Sequence, residues 1–344
     1  MEPKLEKRCM EYLAYRDAVR KTFRLDNKDL YDVCASIFCA CGQTADTEKL
    51  KECRKIIKKK TRPFSGFRSS KVRAILASML SIGDDPEKRM DQANESFRLL
   101  KRQFRNSEYL VLTAFLFSDL ADKTLTEEDV IRGKEIYVRM NEKHRILTDK
   151  TDSVFAMLLA YSGKGEDELI EEIETCYTAL KDRFPNSGSR QTAAQVLAMA
   201  AGTPEEKAQH VIDLYDALLE ADVQYGRSDT LPPLAALSLS DTPVPVLVED
   251  IRAADVFLKA KRNYGFEKEE KEKRAMHAVM IVSDQFEGPN RVNVTAMTNV
   301  LDMLIAKQTI SRISFGLNVL QTVLQVAAKS DEKEEKAESS QSSE

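Results

Sequence analysis

Hydrophobic and polar positions along this chain form a pattern that returns about every 40 residues. It is clearest in two consecutive segments, EEDVIRGKEIYVRMNEKHRILTDKTDSVFAMLLAYSG from Glu127 and DELIEEIETCYTALKDRFPNSGSRQTAAQVLAMAAG from Asp167. Each has a charged amphipathic run around a tyrosine, a polar break, and an apolar run of small residues closing on Gly. Tyr137 and Tyr177 hold equivalent places, with Ile57 and Phe97 before them and Tyr215 and Phe257 after. The closing residues step likewise through Gly42, Gly83, Asp119, Gly163, Gly202, Asp241 and Asp284. A period of this length is that of helical solenoids. The expected fold is therefore all-α, an α-α superhelix of about seven helical-hairpin repeats.

Within a unit, the first helix carries its anchors at i, i+3 and i+7, as in Phe97/Leu100/Phe104, Tyr137/Met140/His144 and Tyr177/Leu180/Phe184. Such a stripe faces one neighbour. The second helices (LTAFLFS, FAMLLAYS, AQVLAMAA, LAALSLS, HAVMIVS) are apolar nearly all round, which predicts an inner layer covered by the amphipathic first helices. The first unit is expected as helices near Leu5–Phe23 and Asp29–Cys41. Asp85-Pro86, Thr203-Pro204 and Thr242-Pro243 each place a capping residue before a proline at the first helical position. Thr203 with Glu206 fits a capping box. Residues 1–284 read as the solenoid and 285–328, apolar at helical spacing, as C-terminal capping helices. Residues 329–344, charged and serine-rich, read as a disordered acidic tail.

Composition changes this picture little. The 344 residues are rich in charge and poor in Gly, with no Trp, as in helix-rich soluble proteins. No apolar run is long enough to span a membrane, and the N-terminus MEPKLEKRCM does not read as a secretory signal. Six cysteines without framework spacing read as reduced thiols, and the expected compartment is the cytoplasm. Charge is uneven: residues 1–110 hold 25 Lys and Arg against 16 Asp and Glu, and the remainder 27 against 40.

The segments KKKTRPFSGFRSS, RAILASMLS, NSEYLVLTAFLFSD, IYVRMNEKHRILTD and CYTALKDRF resemble an uncharacterised family of helical proteins from bacillus-type bacteria, a domain of unknown function. The likeness spans roughly Tyr12 to Asp284. This chain departs from the family pattern at Arg62 and near Arg183, where members carry Gly. The resemblance implies a cytoplasmic bacterial protein and supplies no activity, cofactor or catalytic residue.

Candidate chemistry concentrates in one place. Between Cys53 and Gly83 the chain has no acid and carries Lys58, Lys59, Lys60, Arg62 and Arg68; one repeat later come Arg98, Lys101, Arg102 and Arg105. Stacking would set the two rows side by side as an anion-binding strip. The break Phe64–Ser69 adds backbone N–H groups, serines and a following helix N-terminus, which favour anions. The competing reading is a solvated face with acidic neighbours in space. Cys34, Cys39 and Cys41 lack the paired spacing of a zinc site and read as small buried residues. His144, His210 and His277 have no motif around them. Gly163-Lys164-Gly165 reads as a plain link, and no phosphate loop, dinucleotide fingerprint, zincin or nucleophile-elbow motif occurs. Neither cofactor nor metal is expected. The expected function is recognition: first a protein- or peptide-binding scaffold, then a module for RNA or another polyanion, with an enzyme third.

Overall fold

The computed structural model describes residues 1–24, 26, 29–70, 72–119, 125–150, 152–227, 230–240, 242–261 and 268–283. The expected capping helices at 285–328 and tail at 329–344 lie outside the described residues. Among those described are fourteen α-helices and no strand. They pair in sequence: α1 (Pro3–Thr22) with α2 (Asp29–Cys41), α3 (Thr47–Lys60) with α4 (Arg73–Ile82), α5 (Pro86–Gln103) with α6 (Glu108–Asp119) and α7 (Glu127–Lys143) with α8 (Asp152–Ala160). The pairing continues through α9 (Glu166–Ala179) with α10 (Ser187–Met199), α11 (Pro204–Glu220) with α12 (Leu231–Ser238), and α13 (Val244–Lys259) with α14 (Lys268–Ser283).

Each odd-numbered helix also packs on the next odd-numbered one, and the even-numbered helices form their own layer. That inner layer is the one expected from its composition. α8 and α12 bury every residue, and α10 all but its first. The outer helices bury only a stripe, such as Met90, Ala93, Ser96 and Leu100 on α5. Between α4 and α6 a 3-10 turn, Gly66–Arg68, fills the gap. The space at Gly66 is tight, since a Cβ would stand 3.0 Å from Val111 Cγ2. The array does not stay open. α1 packs on α13 and α14, and α2 packs on α14, so the hairpins curve until the first meets the last and form a ring.

Helix ends follow local chemistry. Asp85 and Thr203 cap α5 and α11 through backbone N–H groups of Lys88 and Glu206, with proline next in each. Thr242-Pro243 does not repeat this: α13 begins at Val244, and Pro243 holds the capping position without a side-chain bond. A second proline, Pro245, also sits in that first turn and needs no N–H partner there. Gly42, Gly163 and Gly202 adopt positive φ after α2, α8 and α10, the left-handed geometry that stops a helix.

Neighbouring outer helices run in the same direction, as Arg139 and then His144 of α7 facing Asp167 and then Glu174 of α9 show, so their C-terminal ends lie on one mouth of the ring. Cations end the outer helices there: Arg20 and Lys21 on α1, Lys58–Lys60 on α3, Lys101 and Arg102 on α5, Lys143 on α7 and Lys259 on α13. Acids open them: Glu48, Glu87, Glu127, Glu166 and Glu205 among others, and a stagger between neighbours brings Glu87 and Glu127 to the cations that end the preceding outer helix. Both placements complement the helix dipoles.

Candidate anion-binding face

Lys58, Lys59 and Lys60 form the last turn of α3, with Arg62 just beyond it. Arg98, Lys101 and Arg102 occupy the last turns of α5, and Arg105 follows its end. Lys60 and Arg68 are half-buried, and the other seven strip residues are exposed. The two rows do not stand abreast, as stacking in register would have placed them. Asn94 Nδ2 donates to the carbonyl oxygen of Lys60 at 3.3 Å, so the end of α3 lies against the middle of the longer α5. Acids therefore face part of the row. Lys59 Nζ is 2.9 Å from Glu87, while Lys60 Nζ reaches Asp91 at 2.6 Å and Glu87 at 3.4 Å. These ammonium groups hold the Glu87 carboxyl below its ordinary value, through the hydrogen bond from Lys59 first. Arg102 Nη1 is 3.2 Å from Glu127 at the start of α7, and Lys101 lies over the Phe97 ring. Lys58, Arg62, Arg98 and Arg105 form no ion pair among the described residues.

The loop between α3 and α4 is pinned at both ends. Thr61 Oγ1 donates to the Ile57 carbonyl at 2.5 Å and accepts from Arg68 Nε at 3.0 Å. The Arg68 guanidinium also donates to the carbonyls of Lys58 and Thr61, which a helix end otherwise leaves without partners. Phe67 is fully buried, edge-on to Phe97 at 5.1 Å and 6.3 Å from Phe115. Within the loop, the N–H groups of Ser65, Arg68 and Ser69 bond to the carbonyls of Arg62, Ser65 and Gly66. Those three donors are spent internally and are not open to an anion, as N–H groups of this break were expected to be. What the loop offers instead is its side chains. Arg62, Pro63 and Phe64 are exposed, Phe64 completely. Phe64 adopts φ +64°, a left-handed conformation that costs a non-glycine residue about 1–2 kcal/mol. No burial of the ring offsets that cost.

Two buried charge clusters have no signature in the sequence motifs. Lys207 and Lys164 both pair with Glu172, the latter at 2.6 Å, and all three are largely buried. The two ammonium groups also cap α10: Lys164 donates to the carbonyls of Ala198 (3.0 Å) and Ala200 (2.7 Å), and Lys207 to Ala200 (2.9 Å). Burial pushes the Lys207 ammonium below its ordinary value. The link Gly163-Lys164-Gly165 is thus a structural clamp as well as a connection. At the seam where the ring closes, Asp32 of α2 accepts from Arg16 Nε at 2.6 Å and from the Tyr12 hydroxyl at 3.2 Å, both on α1. His277 Nδ1 of α14 stands 3.9 Å away. The signal available in sequence was only that Asp32 and His277 interrupt apolar inner helices.

Of the three cysteines expected to be buried, Cys34 is buried, Cys39 is half-buried and the Cys41 side chain lies outside the described residues; Cys9, Cys53 and Cys176 are buried as well. Burial raises the thiols of Cys9 and Cys176 to about 12 and that of Cys53 to about 11. Among the described residues, no group of three His, Cys, Asp or Glu side chains could hold a metal ion. No helix there is long and apolar enough to cross a membrane.

No curated protein and no solved structure matches the chain. A family model does, over residues 15–310, and the chain therefore belongs to the family described as protein of unknown function, DUF4003.

Proposed function

We propose that this protein is a helical-repeat binding module whose partner presents negative charge to the ends of α3 and α5. The observation that carries the reading is the set Lys58, Arg62, Arg98 and Arg105, four exposed cations without acidic partners, beside a rigidly held loop. Lys59, Lys60 and Arg102 already have acids opposite them and contribute less to a partner. Unneutralised clustering of like charge gives the fold nothing, whereas an anionic partner relieves the repulsion. A recognition role fits the scaffold expected from the sequence, with the contact face narrowed to one sector of one mouth.

The test is affinity for heparin or poly(U), measured at several salt concentrations. Wild-type affinity should fall steeply with ionic strength. Charge reversal at Lys58, Arg62, Arg98 and Arg105 should lower it and reduce the salt slope by about one for each phosphate no longer neutralised. The melting temperature should stay unchanged, since none of the four pairs with an acid. A wild type without polyanion affinity at low salt would overturn the reading.

A further inference from the structure

Two hairpin turns carry fully exposed apolar side chains, Phe64 between α3 and α4 and Ile146 between α7 and α8. They stand apart from the rest. Every other large apolar residue exposed among the described residues is between 39% and 59% accessible, against 97% for Ile146. Both tips lie on the same mouth of the ring, the one where cations end the outer helices. Each is next to an exposed arginine, Arg62 near Phe64 and Arg145 beside Ile146. Neither arginine has an ion-pair partner among the described residues.

Water alone gives no reason to hold a phenylalanine in a left-handed conformation at a loop tip. An interface that is apolar within and anionic at its surface does. Aromatic and aliphatic tips enter the headgroup boundary, and each nearby Lys or Arg gains from the negative surface potential. We propose that this mouth docks on membranes rich in acidic lipids, with Phe64 and Ile146 inserted and Lys58, Arg62, Arg105 and Arg145 on the headgroup phosphates. This rests on the reading of an anionic partner and names its class. A bilayer fits better than a single-stranded nucleic acid for two reasons. Ile146 has no face on which a base could stack, whereas both tips have apolar surface to bury. The tips are also two hairpins apart on one mouth, a spacing that an extended flat surface meets at once.

The chain has no tryptophan, so Phe64→Trp introduces a single tryptophan at the tip, which can be excited apart from the tyrosines. The full chain should sediment with vesicles of equimolar phosphatidylcholine and phosphatidylglycerol and stay in solution with phosphatidylcholine alone. Emission from the Phe64→Trp chain should shift to the blue on the acidic vesicles. The double variant Phe64→Gly with Ile146→Ser should lower partitioning about tenfold or more, since each side chain leaves an apolar phase. Its melting temperature should not fall, because glycine suits the backbone at position 64 and neither side chain packs on the core. Undiminished binding of the double variant, or an unshifted emission in the bound state, would overturn insertion. Binding to heparin or poly(U) without vesicle binding overturns the membrane while leaving the anionic partner standing. Failure with all three probes removes both readings.

Discussion

Asp32 has almost no contact with solvent, and its neighbours decide its charge. Burial by itself pushes the carboxyl up, but His277, Arg16 and Lys273 outweigh it and hold it below its ordinary 3.8. A depressed carboxylate stabilises the fold above that value and loses this contribution as pH falls through its folded value. Acid unfolding should therefore set in below about pH 4. Asp32→Asn should flatten that limb and cost up to about 3–5 kcal/mol at neutral pH, because Arg16, its side chain only 12% exposed, keeps its charge and loses the Asp32 carboxylate. Urea titrations across pH check both. The sequence marks Asp32 only as an acid in an apolar inner helix, since Arg16 belongs to the same hairpin but His277 and Lys273 come from the other end of the described chain and only ring closure brings them near. Lys58–Arg105 were legible for the opposite reason: their density is local, while the acids that answer some of them stand one helix away.

At the level of elements, the recurring aromatics join consecutive outer helices. Phe104 meets Tyr137 at 5.8 Å, His144 meets Tyr177 at 4.6 Å and Phe184 meets Tyr215 at 5.1 Å. The last anchor of each stripe thus reaches the first anchor of the next, and the i, i+3, i+7 spacing records a contact between repeats. The stripe was readable because a repeat must present the same surface to every neighbour. Which neighbour each anchor touches was not, because offset between helices leaves no trace in spacing. Phe184 is fully buried, and Phe184→Ala should cost about 3–5 kcal/mol in urea unfolding. A cost below about 1 kcal/mol would mean that the rung can be removed without a cavity. Tyr177, half-buried and held by Arg190 through its hydroxyl at 3.0 Å, should be the more tolerant site.

For the whole molecule, a period of 40 residues implies stacked hairpins but says nothing of curvature. Closure depends on the small rotation that each pair imposes on the next, summed around the array, and no single segment encodes that sum. Its consequence is for how the protein comes apart. An open stack has two weak ends, frays from them, and tolerates the loss of a terminal unit. Here α1 is covered by α13 and α14, so neither end is free to peel. Melting should be a single all-or-none event, with amide hydrogens of α1 exchanging as slowly as those of α8 on the far side. A chain ending at residue 241 should lose cooperative unfolding altogether, having exposed α1 and α2 as well as its own last pair. Should that chain keep a sharp transition near the wild-type temperature, the seam contributes nothing and the hairpins behave as a linear stack.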